Sequence, residues 1–523
     1  MIKKPTHNET MGVLCKKIAI LSALILAIAV IIWYFGNPKK YEPLKLLPAD
    51  AIAYVEIKNL KELKDIIAKN TSDDSPPLEV SIAIMGFELL PSDNIENEIF
   101  LNLKPHFVAV SQTGYSERIN ADLIKKYIHP LIERSITEPI YIQESTESDA
   151  KWLTWKSGDE EKFFVVLSKD LIYASNDKNA IMKTLSVKNG NSENLSIKIP
   201  KEIHKEAEDV IIFGYADKKF VSLMANFLGS LIGVLSSDEL ATQRMMAQIT
   251  SLTLSESINN IRWKMIKRAG NLEDVFILGL DEDVSVLLKA SWLPRETRDN
   301  ELLRFIPKHA TSFSIYAFQD PTNAWMTISD NITRKTHLDK SEISRVKDLM
   351  NLFFAPYGIS DPQRFLNSVN SDILVIRFPE DESVIITRVK NLNETKAAIL
   401  NVNFSSYPIE RESMKIWTSK DKTLSAAFNG NLFLLGNTER LLECLQYSES
   451  FQDIDNQTSP ILTYTKDERV DHKPDKMLYG TDQPFITSSI RKTQLRVIDE
   501  GLEYRMISNH GFIDLLVTEH LSP

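Results

Sequence analysis

An uncharged run of eighteen residues, Ile18–Phe35 (IAILSALILAIAVIIWYF), limits what the rest of the chain can be. At a rise of about 1.5 Å per residue a helix of that length covers roughly 27 Å, close to the ~30 Å hydrocarbon core of a bilayer. Trp33 and Tyr34 fall where an interfacial aromatic belt belongs. We read residues 18–35 as one transmembrane helix that stays in place. The alternative is a cleaved signal peptide, but the run exceeds the apolar stretch of about 7–15 residues usual there, and the A-x-A pattern Ala27–Ala29 lies inside it. Cys15 precedes the run, so it does not mark a lipoprotein.

Lys3, Lys4, Lys16 and Lys17 against Glu9 give residues 1–17 a net charge of +3. By the positive-inside rule this short segment stays cytoplasmic and the long C-terminal part is translocated. The whole chain carries −10, which leaves −13 on residues 18–523. An acidic body of this kind excludes nucleic acid as the expected partner. The two cysteines, Cys15 and Cys444, then lie on opposite sides of the membrane and cannot pair. An exported chain of this size without a disulfide relies on packing, which fits a bacterial envelope with the bulk in the periplasm or extracytoplasmic space.

After a linker, residues 36–45, that Pro38 and Pro43 are expected to keep extended, alternation over Ile52–Ile57 predicts a strand covered on both faces. Leu60, Leu63, Ile66 and Ile67 predict a helix. Residues 99–103 and 107–111 read as two strands joined across Lys104-Pro105. Further strands follow at Trp152–Trp155, Phe163–Leu167 and Leu171–Ser175, with Asn176-Asp177 capping a helix. Phe220–Leu235 (FVSLMANFLGSLIGVL) is a second apolar stretch. Its Gly229 and Gly233 suit close packing against another helix, and it is short and interrupted for a membrane span. A membrane-dipping or second spanning helix and a lipid-lined groove are the other readings. Residues 274–280 and 285–290 read as strands around an Asp281-Glu282-Asp283 turn.

The second half repeats this order. Pro48, Ala51 and Tyr54 match Pro307, Ala310 and Phe313. Leu167, Leu171 and Asn176 match Phe428, Leu432 and Asn437, with Ser168-Lys169-Asp170 answered by the hairpin signal Asn429-Gly430-Asn431. Ile99 with Pro105 aligns with Ile373 and Pro379, and Trp155 with Trp417. The expectation is an α+β protein: a single N-terminal transmembrane helix, then two tandem copies of a mainly antiparallel sheet module with packed helices, residues 46–295 and 296–523.

The anchor, the short linker and the opening Leu47-Pro48-Ala49-Asp50…Tyr54-Val55 together resemble a family of bacterial membrane-anchored exported proteins defined by a domain of unknown function. Pro307, Ala310 and the Pro321…Trp325 helix start echo it in the second half. The resemblance implies a location and a fold, and brings no activity.

The sequence lacks the motifs of zinc proteases, disulfide oxidoreductases, serine hydrolases, phosphate-binding loops and dinucleotide folds. Asp471-His472-x-x-Asp475 reads as a solvated turn, and Asp281–Asp283 lacks the alternating ligands and glycine of a calcium loop. Trp152, Trp155, Trp263, Trp292, Trp325 and Trp417 read as core. No catalytic, cofactor-binding or metal residue is nominated. The leading expectation is a non-enzymatic binding or scaffold protein of the envelope, held to the membrane through residues 18–35 and working with an envelope protein partner. The alternatives are a carrier or sensor of a hydrophobic ligand and an exported hydrolase with an unrecognised site.

Overall fold

The computed structural model describes residues 42–59, 79–90, 102–112, 117–127, 138–147, 150–200, 210–236, 240–268, 270–336, 340–351, 357–399, 407–411, 414–421, 423–446, 459–471, 485–509 and 511–513, with a few isolated positions between. The proposed transmembrane helix and the segment before it lie outside these. Among the described residues no helix is long and apolar enough to cross a membrane. The protein is α+β, with antiparallel strands and several helices.

The chain forms two compact units. The first takes residues to Leu228, Asn259–Phe276 and His510 onward; the second takes Gly229–Ile258 and Ile277–Asn509. In the first unit the strands are β1 (Ala53–Ile57), β2 (Val80–Leu90), β3 (Asn102–Gln112), β4 (Tyr141–Glu147), β5 (Ala150–Ser157), β6 (Glu160–Ser168), β7 (Leu171–Ser175), β8 (Ile212–Ala216) and β9 (Ile258–Arg268), with β10 (Asn271–Leu280) starting there. They pair in the order β4-β5-β6-β7-β3-β2-β1-β8-β9-β10.

The second unit contains β11 (Ser312–Tyr316), β12 (Val369–Arg377), β13 (Ser383–Val389), β14 (Ile409–Arg411), β15 (Met414–Thr418), β16 (Leu424–Asn429), β17 (Leu432–Asn437), β18 (Ile461–Asp471), β19 (Phe485–Ile498) and β20 (Gly501–Ser508). Their order is β14-β15-β16-β17-β13-β12-β11-β18-β19-β20, the same path.

The ladders agree in register as well as in order. Setting Ala53 on Ser312 makes Ile84 answer to Arg377, because those are their partners. Carried across β2–β3 and β3–β7, the same step sets Ser175 on Gly436. That is the spacing at which Leu171 and Asn176 match Leu432 and Asn437 in the sequence, so two separate sequence matches are joined by three ladders without a slip. The turn residues match too: Lys169 and Gly430 open their two-residue turns at φ 58° and 57°. Glycine adopts that conformation without strain and lysine does not. Ala51 donates to the Pro48 carbonyl at 3.2 Å, as Ala310 does to Pro307 at 3.1 Å.

The central strands of each sheet are covered on both faces, which explains why β7 and β17 read as nearly continuous apolar runs. On one face Tyr54, Ala83, Val108, Val166 and Tyr173 pack with Ala180 and Ile181 of the Lys178–Lys188 helix. The corresponding Phe313, Ile376, Val384, Ala427 and Leu434 pack with Leu441 and Cys444 of the Thr438–Gln446 helix. On the other face Ile82, Ala109, Val165 and Ala174 answer to Val375, Ile385, Ala426 and Leu435.

Several expectations need correction. Pro43–Lys45 is a 3-10 turn with Leu44 buried, where an extended linker was expected. β3 runs unbroken through Lys104-Pro105. There it pairs only with β2, since its pairing with β7 begins at Val108, so the missing N–H of proline breaks no ladder. The strand facing it, β2, escaped the sequence reading, and it is β2, not β3, that answers to β12. Trp417 occupies the position of Leu153, two residues along the same face from Trp155. Asp281 opens a helix, Glu282–Ser291, because its carboxylate accepts from Asp283 N and acidic residues fill the first turn. Residues 285–290 are therefore helical.

The Phe220–Leu235 run lies within the Lys218–Ser236 helix. In the second unit its Gly229 and Gly233 lie against the Leu240–Ser257 helix, where an added Cβ would meet the carbonyls of Ala247 and Gln243, each at 2.4 Å. Gly229→Ala and Gly233→Ala should each cost about 1–3 kcal/mol in chemical denaturation, as overpacking does. Gly86→Ala, with nothing within 4 Å, should be nearly silent. Unchanged midpoints for both helix variants would contradict the close approach.

Candidate functional site

The second unit contains an apolar cavity of about 340 Å³ on the sheet face that carries Val375 and Ile385. Its floor is Ile373 and Val375 of β12, Ile385 of β13 and Ile461 at the start of β18. Its roof is the Pro321–Thr336 helix. That helix starts where it does because Pro321 suits the first helical position and the Asp320 carboxylate accepts from Asn323 N at 3.0 Å. Pro321, Ala324, Trp325 and Ile328 then fall on one stripe facing the cavity. The helix also packs against Ile249 and Met350 through Trp325, Ile328 and Ile332, and Asn331 donates to Ser257 Oγ at 3.1 Å.

The side walls are rings held by other rings. Trp292, which ends the Glu282–Ser291 helix, meets Phe318 edge-on at 5.6 Å and donates its indole N–H to the Ala324 carbonyl at 3.4 Å. Trp325 meets Phe354 edge-on at 4.9 Å. Phe365, on the Pro362–Ser368 helix, leans on Phe433 at 5.9 Å. Tyr316 and Tyr357 complete the wall, and no lining side chain is charged. A volume of this size corresponds to roughly ten waters, each needing two to four polar partners that such walls do not supply.

The matching floor in the first unit is covered by helix side chains. Val80, Ile82, Ala109 and Ile212 are fully buried against Leu63 and the Ala121 and Ile124 side chains of the Glu117–Tyr127 helix. A second cavity in that unit, about 670 Å³, is wider and more open. Met85, Phe87 and Leu223 line it with Lys218 and Lys219 from the start of the Lys218–Ser236 helix. Enclosure and uniform chemistry favour the smaller cavity as a ligand site.

Among the described residues no carboxylate lines either cavity. Glu56 is buried in β1, accepts from the Tyr54 hydroxyl at 2.8 Å and pairs with Lys58. Burial and a hydrogen bond with Glu56 push the neighbouring Glu79 up to about 7. Asp274 accepts from Trp263 Nε1 at 2.8 Å and Phe512 N at 2.7 Å, and burial pushes it up to about 6. Asp281–Asp283 is a helix start. Asp471 ends β18, while His472 and Asp475 lie outside the described residues. Among the described residues no cluster of His, Cys, Asp or Glu could hold a metal ion.

Of the tryptophans read as core, Trp152, Trp155 and Trp292 are buried, and Trp292 and Trp325 also line the cavity. The one advance signal was the Pro321…Trp325 helix start, which placed a large ring on the first turn of a helix.

No family model and no curated protein matches the chain. Among solved structures, crystal forms I, III and IV of TP0453 are similar over part of it. They show 10–12% identity and TM-scores of 0.26–0.27, covering 46–50% of this chain and 80–90% of theirs. A likeness that slight carries no function across.

Glu79 and Asp274 make the first unit pH-sensitive. Each holds its proton to higher pH in the folded state than at its ordinary value of 4.5 or 3.8. The stabilisation is therefore complete below about pH 4 and is lost as pH rises through about 6 to 7. For Asp274 it is on the order of 3 kcal/mol. The melting temperature of the first unit should fall between pH 5 and pH 8, and Asp274→Asn with Glu79→Gln should flatten that slope. An equal slope in the double variant would remove these two groups as its cause.

Proposed function

We propose that the chain is a non-enzymatic binding protein of the bacterial cell envelope, anchored in the cytoplasmic membrane by residues 18–35 with its bulk outside. Two tandem copies of one α+β module make up that bulk, and the second copy is the carrier or sensor of an apolar small molecule. The observation that carries the ligand reading is the uncharged, ring-walled cavity under the Pro321–Thr336 helix. It favours the hydrophobic-ligand reading over a scaffold that works by surface alone. The shared strand order and the unbroken register between matched residues support the tandem copies. The opening Leu47–Val55, with its resemblance to membrane-anchored exported proteins, supports the location.

A protein partner in the envelope fits this reading as the source or receiver of the ligand. The first copy, whose corresponding face is filled by its own helices, is then the module free to contact it. Glu56, which is buried, and the half-buried Glu79 belong to the first unit.

The test is to purify the tagged full-length chain from membranes and analyse by mass spectrometry what accompanies it. An apolar small molecule should be recovered in near-stoichiometric amount, and Ala324→Phe, which places a ring in the cavity, should lose it while remaining in the membrane fraction. Equal recovery from both chains, or none from either, would contradict the ligand site. Deleting residues 18–35 should release the protein from carbonate-washed membranes, and retention would contradict the anchor.

A further inference from the structure

The chemistry of the cavity narrows what it can hold. Its walls are stiff: Trp292, Tyr316, Trp325, Phe354 and Phe365 are rings, several fixed by contacts with one another or with neighbouring rings. Its floor of Ile373, Val375, Ile385 and Ile461 is β-branched and restricted at χ1. Methionine, the side chain that adapts most easily to an irregular guest, is absent from the lining although the chain has 13. A cavity built this way keeps its shape, as a close-packed interior does. It rewards a guest that loses no internal freedom on entering and that offers ring edges and faces to ring walls.

Charge is excluded on separate grounds. No lining side chain carries a charge to pair with an ion, and the attraction of ring faces for a cation, about 2 kcal/mol, falls short of the cost of burying an unpaired charge. The polar groups on the lining side chains are the phenols of Tyr316 and Tyr357 and two indole N–H groups, of which that of Trp292 already donates to Ala324.

We infer that the cavity takes a neutral, rigid, ring-containing apolar molecule with at most one or two hydrogen-bonding oxygens, in preference to an acyl chain or a fatty acid. This rests on the cavity being the ligand site proposed above, and the two claims fail differently in one experiment.

The full-length chain in lipid nanodiscs is titrated with pyrene, a rigid neutral ring system, and the saturable energy transfer from tryptophan is followed. Hexadecane, with the same number of carbons, and palmitate are then used as competitors. Saturable transfer is expected, with both competitors displacing pyrene at least about tenfold less well than an unlabelled polycyclic hydrocarbon does. Displacement by hexadecane or palmitate that equals the polycyclic competitor would overturn the ligand class and leave the cavity as a site. Absence of saturable transfer would overturn both. Trp325→Leu, which exchanges a stiff wall for a flexible one, should reduce the preference for the ring competitor by about threefold or more. An unchanged preference in a folded variant would contradict the stiff-wall argument, and the comparison in the unaltered chain decides the class by itself.

Discussion

A strand that is apolar on both faces needs cover on both faces, and this requirement organises each unit. β1 and β11 sit in the middle of their sheets, paired on both edges. Neither sheet leaves its central strands a face to rest on water, so helices must be supplied from the connections. On one face the helix after β7, or after β17, does this in the same way in both units. On the other face the connections differ. In the first unit small and aliphatic helix side chains reach the sheet and close it. In the second, tryptophans and phenylalanines prop the covering helices away from the same floor positions. The cavity is thus a consequence of cover that meets the sheet at its rim more than at its centre.

Much of the framework could be read from residue order. The Lys169-Asp170 and Gly430-Asn431 turns, the capped helix after each, the paired glycines of the Lys218–Ser236 helix and the helix beginning at Pro321 all carry local signals that the fold keeps. The failures were also local. β3 was split at Pro105 because a proline usually ends a strand, and only the sheet shows that its edge is unpaired there. The Glu282–Ser291 helix was read as turn and strand because alternation in Ser285–Ala290 outweighed the cap at Asp281. Beyond the Pro321…Trp325 helix start the cavity carries no local signal: its lining runs from Trp292 to Ile461 and is gathered from separate helices and strands. Each ring there looks like core until the fold shows which side of it is open.

The two units share a strand order and differ in their interiors. Ala109 in the filled unit answers to Ile385 in the hollow one, so the floor is bulkier where the space above it is larger. The volume therefore comes from the helices and not from a thinned sheet. The carboxylates follow a similar division of roles: Glu79 and Asp274 belong to the first unit and contribute pH dependence to folding, and no carboxylate is among the residues lining the ring-walled cavity.

The central claim is that the second unit holds a preformed apolar cavity between β12, β13 and the Pro321–Thr336 helix. Xenon binds dry apolar cavities without demanding polar partners, so diffraction from crystals equilibrated under xenon tests the claim most directly. The account predicts xenon density between Trp292, Trp325 and Ile385 with the walls unmoved. A xenon-free site in which Trp325 has closed onto Ile385, or ordered water hydrogen-bonded throughout the space, would contradict it.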